Sequence, residues 1–181
     1  LIVRSAARSA APIPLAETLM AGWLLGNAGL PVPEGPLSVG PVREADSFNL
    51  QREGDGWRLD GSARRIPWAR DATHLALIAE AGGVPHVVCV PVAELSVTHE
   101  RNVAYEPRDT VRATALKVPA QNVAPAGGMT CERLFAFGAM VRTVQSAGAL
   151  DRVLDLSVQY AQDRVQFGKP IGKFQAIQHG L

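Results

Sequence analysis

Three residues near the end of the chain, Arg164, Gln166 and Phe167, combine side-chain types that are suited to binding a ligand. A guanidinium is a permanently charged, forked donor, an amide both donates and accepts, and a phenyl ring offers a flat apolar face. Held together at one tight turn, these groups could contact a single ligand that is both charged and aromatic. The alternative is structural: Arg164 would be a solvated cation at a helix C-terminus, and Phe167 would belong to the core.

A long amphipathic helix is predicted to carry these residues. Apolar residues recur at steps of three and four before Arg164, which is the pattern of one helix face. They are Leu134, Phe137, Val141, Val144, Ala147, Leu150, Leu154, Val158 and Ala161. Thr130 is a suitable N-cap, and Gly168 followed by Pro170 predicts a left-handed C-cap and the end of the helix. Arg164 to Phe167 would then form the last turn, and a second helix would begin after Pro170.

A motif of the acyl-CoA dehydrogenase family resembles residues 160–179, whose sequence is Y-A-Q-D-R-V-Q-F-G-K-P-I-G-K-F-Q-A-I-Q-H. The C-terminal helical domain of that family carries Tyr-Ala, Arg-x-x-Phe-Gly-x-Pro-Ile, Phe-Gln and a further Gln in this order. The resemblance implies that Arg164, Phe167 and Gln175 contact the FAD that a neighbouring subunit binds. An arginine at that place fits a pyrophosphate, which a forked donor matches better than a point charge does.

The middle of the chain predicts a β-domain. From Ser47 to about Val123, apolar and polar residues alternate, and turns separate short strands with no helix between them. This spacing favours an antiparallel barrel or sandwich, which is also what the resemblance implies for the middle domain. A helix is predicted from Pro14 to about Ala28, and the Pro- and Gly-rich residues 31–42 predict a linker or an extended edge strand. The predicted fold class is therefore α+β and multi-domain.

Three domains are predicted along the chain. Residues 1–30 would be the end of an N-terminal helical domain, residues 31–128 the middle β-domain, and residues 129–181 the start of a truncated C-terminal helical bundle. The spacing of Gly22 and Gly26 predicts that another helix packs closely there. Because the first residue is Leu and the last predicted helix has barely two turns, we expect a part of a longer chain.

Two segments that contact the flavin ring in the family differ in this chain. The family has Thr-Glu-Pro followed by Gly-Ser-Asp at the start of its β-domain, and residues 37–46 contain no such motif. The family then has Trp-Ile-Thr, whose Trp and Thr touch the isoalloxazine, where this chain has Arg65, Ile66 and Pro67. Trp68 follows them and could pack on the flavin edge, since indole supplies area and a donor, or it could cover the core at a strand end.

No catalytic base is assigned. The chemistry of the family removes an α-proton from an acyl thioester, which requires a carboxylate within reach whose pKa is raised by burial. In most members this Glu lies farther along than residue 181, and in some it lies early on the long helix, in a slot that Gly138 occupies here. Glu132 lies more than one turn before that slot and is not nominated, and the scattered histidines suggest no other mechanism.

The composition and charge of the chain indicate neither a nucleic-acid-binding, a metal-binding nor a membrane-spanning protein. A net charge of +1 gives no indication of a nucleic-acid partner. Cys89 and Cys131 are far apart and make no metal-ligand spacing, so no metal is predicted and both are expected to be buried thiols in a reducing compartment. The longest apolar stretch, from Leu19 to Leu30, is interrupted by glycines and is too short to cross a bilayer. With no signal peptide, a cytoplasmic location is expected.

The resemblance implies an FAD-dependent acyl-CoA dehydrogenase of fatty acid metabolism, which desaturates an acyl-CoA thioester and transfers a hydride to the flavin. The implied partners are the acyl-CoA substrate, an electron-transfer flavoprotein, and further subunits of a homo- or hetero-oligomer in which the FAD site is shared. Two alternatives remain. The chain could be a non-catalytic or degenerate subunit of a heteromeric acyl-CoA dehydrogenase, or it could perform another flavin chemistry, as an oxidase or monooxygenase, on the same fold.

Overall fold

The computed structural model describes residues 1–180, which form two compact units. One unit combines residues 1–11 with the chain from Met140 onward, and the other is Pro12–Ala139. The helices are α1 (Ile2–Arg8), α2 (Leu15–Asn27), α3 (Cys131–Asp163) and α4 (Gln175–Gln178). Within the described residues, no helix is both long and apolar enough to cross a membrane.

A mostly antiparallel sheet of eight strands fills the second unit. The strands are β1 (Leu37–Gly40), β2 (Ser47–Glu53), β3 (Gly56–Pro67), β4 (His74–Ala81), β5 (Val84–Pro91), β6 (Ser96–Thr98), β7 (Arg108–Val118) and β8 (Val123–Pro125). Their order is β6-β7-β3-β2-β4-β5-β8, with β1 paired in parallel to β4. The α+β class is confirmed, and the path of strands among the described residues is open, not a closed barrel.

The alternation of apolar residues explains the packing of the sheet. In β2, Phe48 and Leu50 are buried while their neighbours are exposed, so one face of the strand meets the core. The strands β3 and β7 contribute Leu59, Ile66 and Val111 to the same core, and each is fully buried. Since register is set by this alternation, the paired strands are held with one face inward.

The Pro- and Gly-rich segment before β2 contains the extended edge strand, not only a linker. All four residues of β1 are buried, and the strand pairs in parallel with β4. Thr18 of α2 ties the strand to the helix, because the backbone N–H of Leu37 donates to its hydroxyl at 3.0 Å. The prolines lie outside the strand, where they remove no ladder hydrogen bond.

The long helix begins as predicted but ends four residues early. The backbone N–H of Arg133 donates to Thr130 Oγ1 at 3.2 Å, which confirms the N-cap. The helix ends at Asp163, and a two-stranded hairpin follows, formed by β9 (Val165–Gln166) and β10 (Lys169–Pro170). Its two loop residues, Phe167 and Gly168, have φ of 51° and 79°, as in a type I′ turn.

The prediction that Arg164 to Phe167 form the last helical turn is therefore wrong. A glycine with positive φ is equally suited to a helix C-cap and to the second loop position of a hairpin. The residue type of Gly168 alone could not distinguish these two structures.

The predicted close approach of a helix at Gly22 and Gly26 is also wrong. A Cβ placed on Gly22 would lie 3.8 Å from a Val32 methyl group, and one on Gly26 would meet nothing within 4 Å. The close approach of helices is instead at Gly148 of α3, where a Cβ would lie 2.2 Å from the carbonyl oxygen of Arg4 in α1.

Candidate functional site

Arg164 lies directly after α3 at the start of a compact segment, residues 164–175, here called the corner. Its backbone N–H donates to the carbonyl of Tyr160 at 2.9 Å, and its carbonyl accepts from the N–H of Ile171 at 2.8 Å. The backbone is thus fixed on both sides of the residue. The side chain is exposed and makes no hydrogen bond or ion pair with any of residues 1–180, so its guanidinium is available to a ligand.

Phe167 presents an aromatic ring at the tip of the corner. The residue is 93% exposed, although a large apolar side chain is ordinarily removed from water. Its ring meets the ring of Phe174 edge-on, with 6.2 Å between the centroids. The ammonium of Lys169 lies 4.4 Å from the centroid of the Phe174 ring. The corner therefore presents two aromatic rings together with positively charged side chains.

Gln175 is the first residue of α4 and follows Phe174 directly, with its side chain exposed. The Ile171 hydrogen bond and the ring contact between Phe167 and Phe174 bring both halves of the corner together. The structure thus places Arg164, Phe167 and Gln175 in one short segment, each with an exposed side chain.

Trp68 lies in the other unit, at the end of β3. It is half-buried and has a left-handed backbone with φ of 55°, which is unusual for a bulky residue. Its N–H donates to the carbonyl of Pro107 at 3.3 Å. The carbonyl of Pro67, just before it, accepts from the buried Ser38 hydroxyl. The backbone that carries the indole is therefore fixed from two sides.

A buried ion pair anchors the 3-10 turn that follows Trp68. The carboxylate of Asp109 is fully buried and accepts from the backbone N–H of Arg70 at 2.9 Å and from its Nε at 3.0 Å. The same carboxylate accepts from the N–H of Glu100 at 3.1 Å. Burial alone would raise the pKa of Asp109, but the hydrogen bonds and charge of Arg70 outweigh it and hold the pKa below its ordinary value. The pair ties β7 to the turn beside Trp68.

Arg65 lies on a β-bulge, and Pro67 lies just after it, paired with Arg108; the resemblance aligns these two residues with the flavin-ring contacts of the family. The pairing of β3 with β7 shifts between Ala63 and Ile66, and Arg65 there has φ of 59° and an exposed side chain. The N–H of Arg64 donates to Asp46 Oδ2 at 3.0 Å, which supports the bulge. Pro67 has no N–H, and its carbonyl already accepts from Ser38. These positions lack the indole and the hydroxyl that the family presents there.

A cavity that no sequence pattern indicates lies beside the start of α3. It has a volume of about 300 Å³ and combines apolar side chains with carboxylates. Its lining residues are Pro41, Glu44, Asp46, Ser47, Phe48, Ile78, Glu80, Cys131, Glu132 and Phe135. Because they come from three separate segments, residues 41–48, 78–80 and 131–135, no local sequence pattern could have indicated the cavity.

Neither cysteine has the properties of a thiolate nucleophile. Burial raises the pKa of the Cys89 thiol. Burial, followed by the charge of Glu80, raises the pKa of the Cys131 thiol. Both thiols are therefore protonated near neutral pH, and a protonated thiol is a poor nucleophile.

Comparison with known proteins identifies a family by sequence and a shared fold by structure. The family profile described as "Acyl-CoA dehydrogenase, C-terminal domain" matches residues 127–181. The acyl-CoA dehydrogenase IpdE2 of Mycolicibacterium smegmatis is 54% identical over 43 residues, which are 24% of this chain and 14% of that protein.

Two further likenesses extend over nearly the whole chain. The acyl-CoA dehydrogenase FadE34 of Mycobacterium tuberculosis is 30% identical over 187 residues, covering 98% of this chain and 24% of that protein. The ChsE4-ChsE5 complex of Mycobacterium tuberculosis superimposes with a TM-score of 0.81 at 23% identity, over 98% of this chain and 53% of that chain. This chain thus spans a quarter or less of the curated relatives and about half of the solved structure. The matched profile and the identity to curated acyl-CoA dehydrogenases show that the chain belongs to the acyl-CoA dehydrogenase family.

Proposed function

We propose that this chain is part of an FAD-dependent acyl-CoA dehydrogenase, which introduces an α,β double bond into an acyl-CoA thioester. The observation that carries the proposal is the corner, where the guanidinium of Arg164 has no partner among residues 1–180 and Phe167 is 93% exposed. An unpaired cation and an exposed aromatic ring, three residues apart in a segment whose backbone is hydrogen-bonded, are suited to a ligand that is both anionic and aromatic.

The donor set of the corner fits FAD. Arg164 would hold the diphosphate through its forked donors, Phe167 would cover a flat face of the cofactor, and Gln175 would donate or accept through its amide. When bound, FAD would supply the acceptor for a hydride from the β-carbon of the thioester. Arg164, Phe167 and Gln175 would bind and orient the cofactor and move no proton themselves.

The cavity beside α3 is the candidate site for part of the substrate. Phe48, Ile78 and Phe135 offer an apolar lining that suits an acyl group. The carboxylates around them, among them Glu80 and Glu132, would repel the phosphates of coenzyme A, which we therefore place outside the cavity. Gly138 occupies the early helical slot for the base, so we propose that another part of the complete protein supplies the α-proton acceptor.

Further subunits are part of this proposal. A corner that contacts the FAD of a neighbouring subunit requires an oligomer, and α3 exposes Leu150, Val153 and Leu154 by 51% or more. Apolar residues exposed in a row on one helix are typical of a surface that packs against other chains or domains. The electrons would pass from the reduced flavin to an electron-transfer flavoprotein.

A second candidate is a degenerate subunit of a heteromeric acyl-CoA dehydrogenase. The observation that favours it is Arg65 on the bulge and Pro67 just after it, at the positions that the resemblance aligns with the ring-contacting Trp and Thr. Such a subunit would offer its corner to the FAD of a partner and bind no flavin ring itself. The number of FAD molecules retained per subunit separates the two candidates.

Substitution of Arg164 tests the proposal. In the complete protein, Arg164→Ala should weaken FAD binding by about 30-fold, the effect of losing a hydrogen-bonded charge of about 2 kcal/mol. The dissociation constant of Arg164→Lys should lie between those of the parent and Arg164→Ala, because lysine keeps the charge and loses the forked donor geometry. The dissociation constant is measured by titrating the apoprotein with FAD and following the flavin fluorescence.

Arg152→Ala is the matched control, since Arg152 is an exposed arginine of α3. It should bind FAD as the parent does. Equal FAD affinity for the Arg164→Ala and Arg152→Ala proteins would overturn the assignment of the corner as the cofactor site.

A further inference from the structure

We infer that Lys169 is a second cation of the diphosphate site at the corner, acting together with Arg164. The inference rests on the proposed binding of FAD, and it adds a residue that the motif-based assignment does not include. Three observations carry it: the charge balance at the end of α3, the register of the β9–β10 hairpin, and the position of the lysine ammonium.

The charge balance at the end of α3 favours a second cation for binding a diphosphate beside Arg164. Arg164 directly follows a 33-residue helix, whose C-terminal end carries a partial negative charge. The last residue of that helix, Asp163, holds its carboxylate beside the end, where it accepts from Gln159 Nε2 at 2.8 Å. Asp163 and the helix dipole offset the charge of Arg164. A diphosphate bears more than one negative charge, so a further cation would strengthen its binding there.

The register of the hairpin supplies Lys169 on the correct face. Lys169 is paired with Gln166, and the N–H of Ile171 donates to the carbonyl of Arg164 at 2.8 Å. Directly opposed residues share one face of a hairpin, so Gln166 and Lys169 do, and Arg164 is bonded through its carbonyl to the residue two positions after Lys169. Arg164 and Lys169 are diagonal neighbours, at a distance of about 7–8 Å, which two long basic side chains can bridge to one ligand.

The ammonium of Lys169 is held but not neutralised. It lies 4.4 Å from the centroid of the Phe174 ring, which attracts a cation through its quadrupole. No carboxylate among residues 1–180 forms an ion pair with it. The ring therefore limits where the ammonium moves while leaving its full charge for a ligand next to Phe167.

The test compares two lysines of the corner in the complete protein. Lys169→Gln should raise the dissociation constant of FAD about tenfold, as expected for one charge-assisted contact. It should also lower the salt dependence of binding, because fewer ions are exchanged. Lys173→Gln removes the same charge from an exposed residue of the adjacent 3-10 turn and should change the constant less than about twofold. Lys169→Arg should restore most of the affinity.

Several outcomes would contradict the inference or the proposal beneath it. If Lys169→Gln weakens FAD binding no more than Lys173→Gln, Lys169 is not part of the site. Riboflavin lacks the diphosphate. If Lys169→Gln weakens the binding of riboflavin as much as the binding of FAD, the lysine acts on the ring system and the inference is wrong. If the unaltered protein takes up no FAD, the proposed function itself is wrong. That outcome is distinct from a failure of the lysine comparison, which requires a parent protein that binds FAD.

Discussion

Asp109 has a fully buried carboxylate whose charge is offset by Arg70, a side chain that is itself only 16% exposed. Removing one partner of such a pair leaves a buried charge without compensation, which costs more than the net contribution of the pair. The pair fixes the backbone beside Trp68, so it belongs to the support of the β-domain and not to the surface. A sequence could not reveal it, because the two residues lie 39 positions apart.

Asp109→Asn should destabilise the protein by about 2–3 kcal/mol at neutral pH, because Arg70 loses its counter-charge in a buried place. The measurement is the urea midpoint of the complete protein. Asp55→Asn, at an exposed turn between β2 and β3, is the control and should change stability by less than about 0.5 kcal/mol.

The Arg70–Asp109 pair also makes the free energy of unfolding depend on pH. Because the pKa of Asp109 is lowered in the folded protein, its contribution is complete above the unfolded value near 3.8 and is lost as the pH falls through the folded value. The difference between the parent and Asp109→Asn should therefore be constant above about pH 5 and shrink below about pH 4. A difference that grew on acidification would show that the carboxylate is not stabilised in the folded state.

The contact between α1 and α3 depends on the absence of a side chain at one position. Gly148 lets the backbone of Arg4 approach, and ion pairs flank the contact, from Arg4 to Asp151 at 2.8 Å and from Arg8 to Asp155 at 2.5 Å. Both pairs are largely exposed and add little by themselves. The approach of the helix backbones is therefore the feature that a substitution should disturb most.

Gly148→Ala should destabilise this contact, although alanine is the better helix former. A Cβ at 2.2 Å from a backbone carbonyl oxygen cannot be accommodated unless α1 moves, and overpacking of this kind costs about 1–3 kcal/mol. The measurement is hydrogen exchange of the α1 amides, which should become faster. Gly26→Ala, where nothing lies within 4 Å, should leave exchange unchanged or slower. Unaltered exchange in Gly148→Ala would mean that the two helices do not pack as described.

Much of the whole chain was predictable from local patterns. The alternation in β2, β3 and β7 indicated strands because one face of each is buried, and Thr130 indicated the start of α3 because its hydroxyl caps a helix. The corner residues were also local, within a dozen positions of one another. The hairpin at Phe167 was mistaken for a helix end, since both structures accept a glycine with positive φ.

Features that join distant segments could not be predicted. The parallel pairing of β1 with β4, the cavity beside α3 and the Arg70–Asp109 pair each depend on the tertiary fold. The residue roles at the corner stay predictions, as do the two boundaries between the three predicted domains, because they concern the complete protein.

The flavin content of the complete protein tests the central proposal most directly. The purified protein is denatured, and the released ligand is identified by its absorbance and mass and counted against subunits. The proposal predicts close to one FAD per subunit, held by the site to which Arg164, Phe167 and Gln175 contribute. A well-folded oligomer that contains no FAD would contradict it and favour the degenerate subunit, whose flavin-binding partner would then be sought.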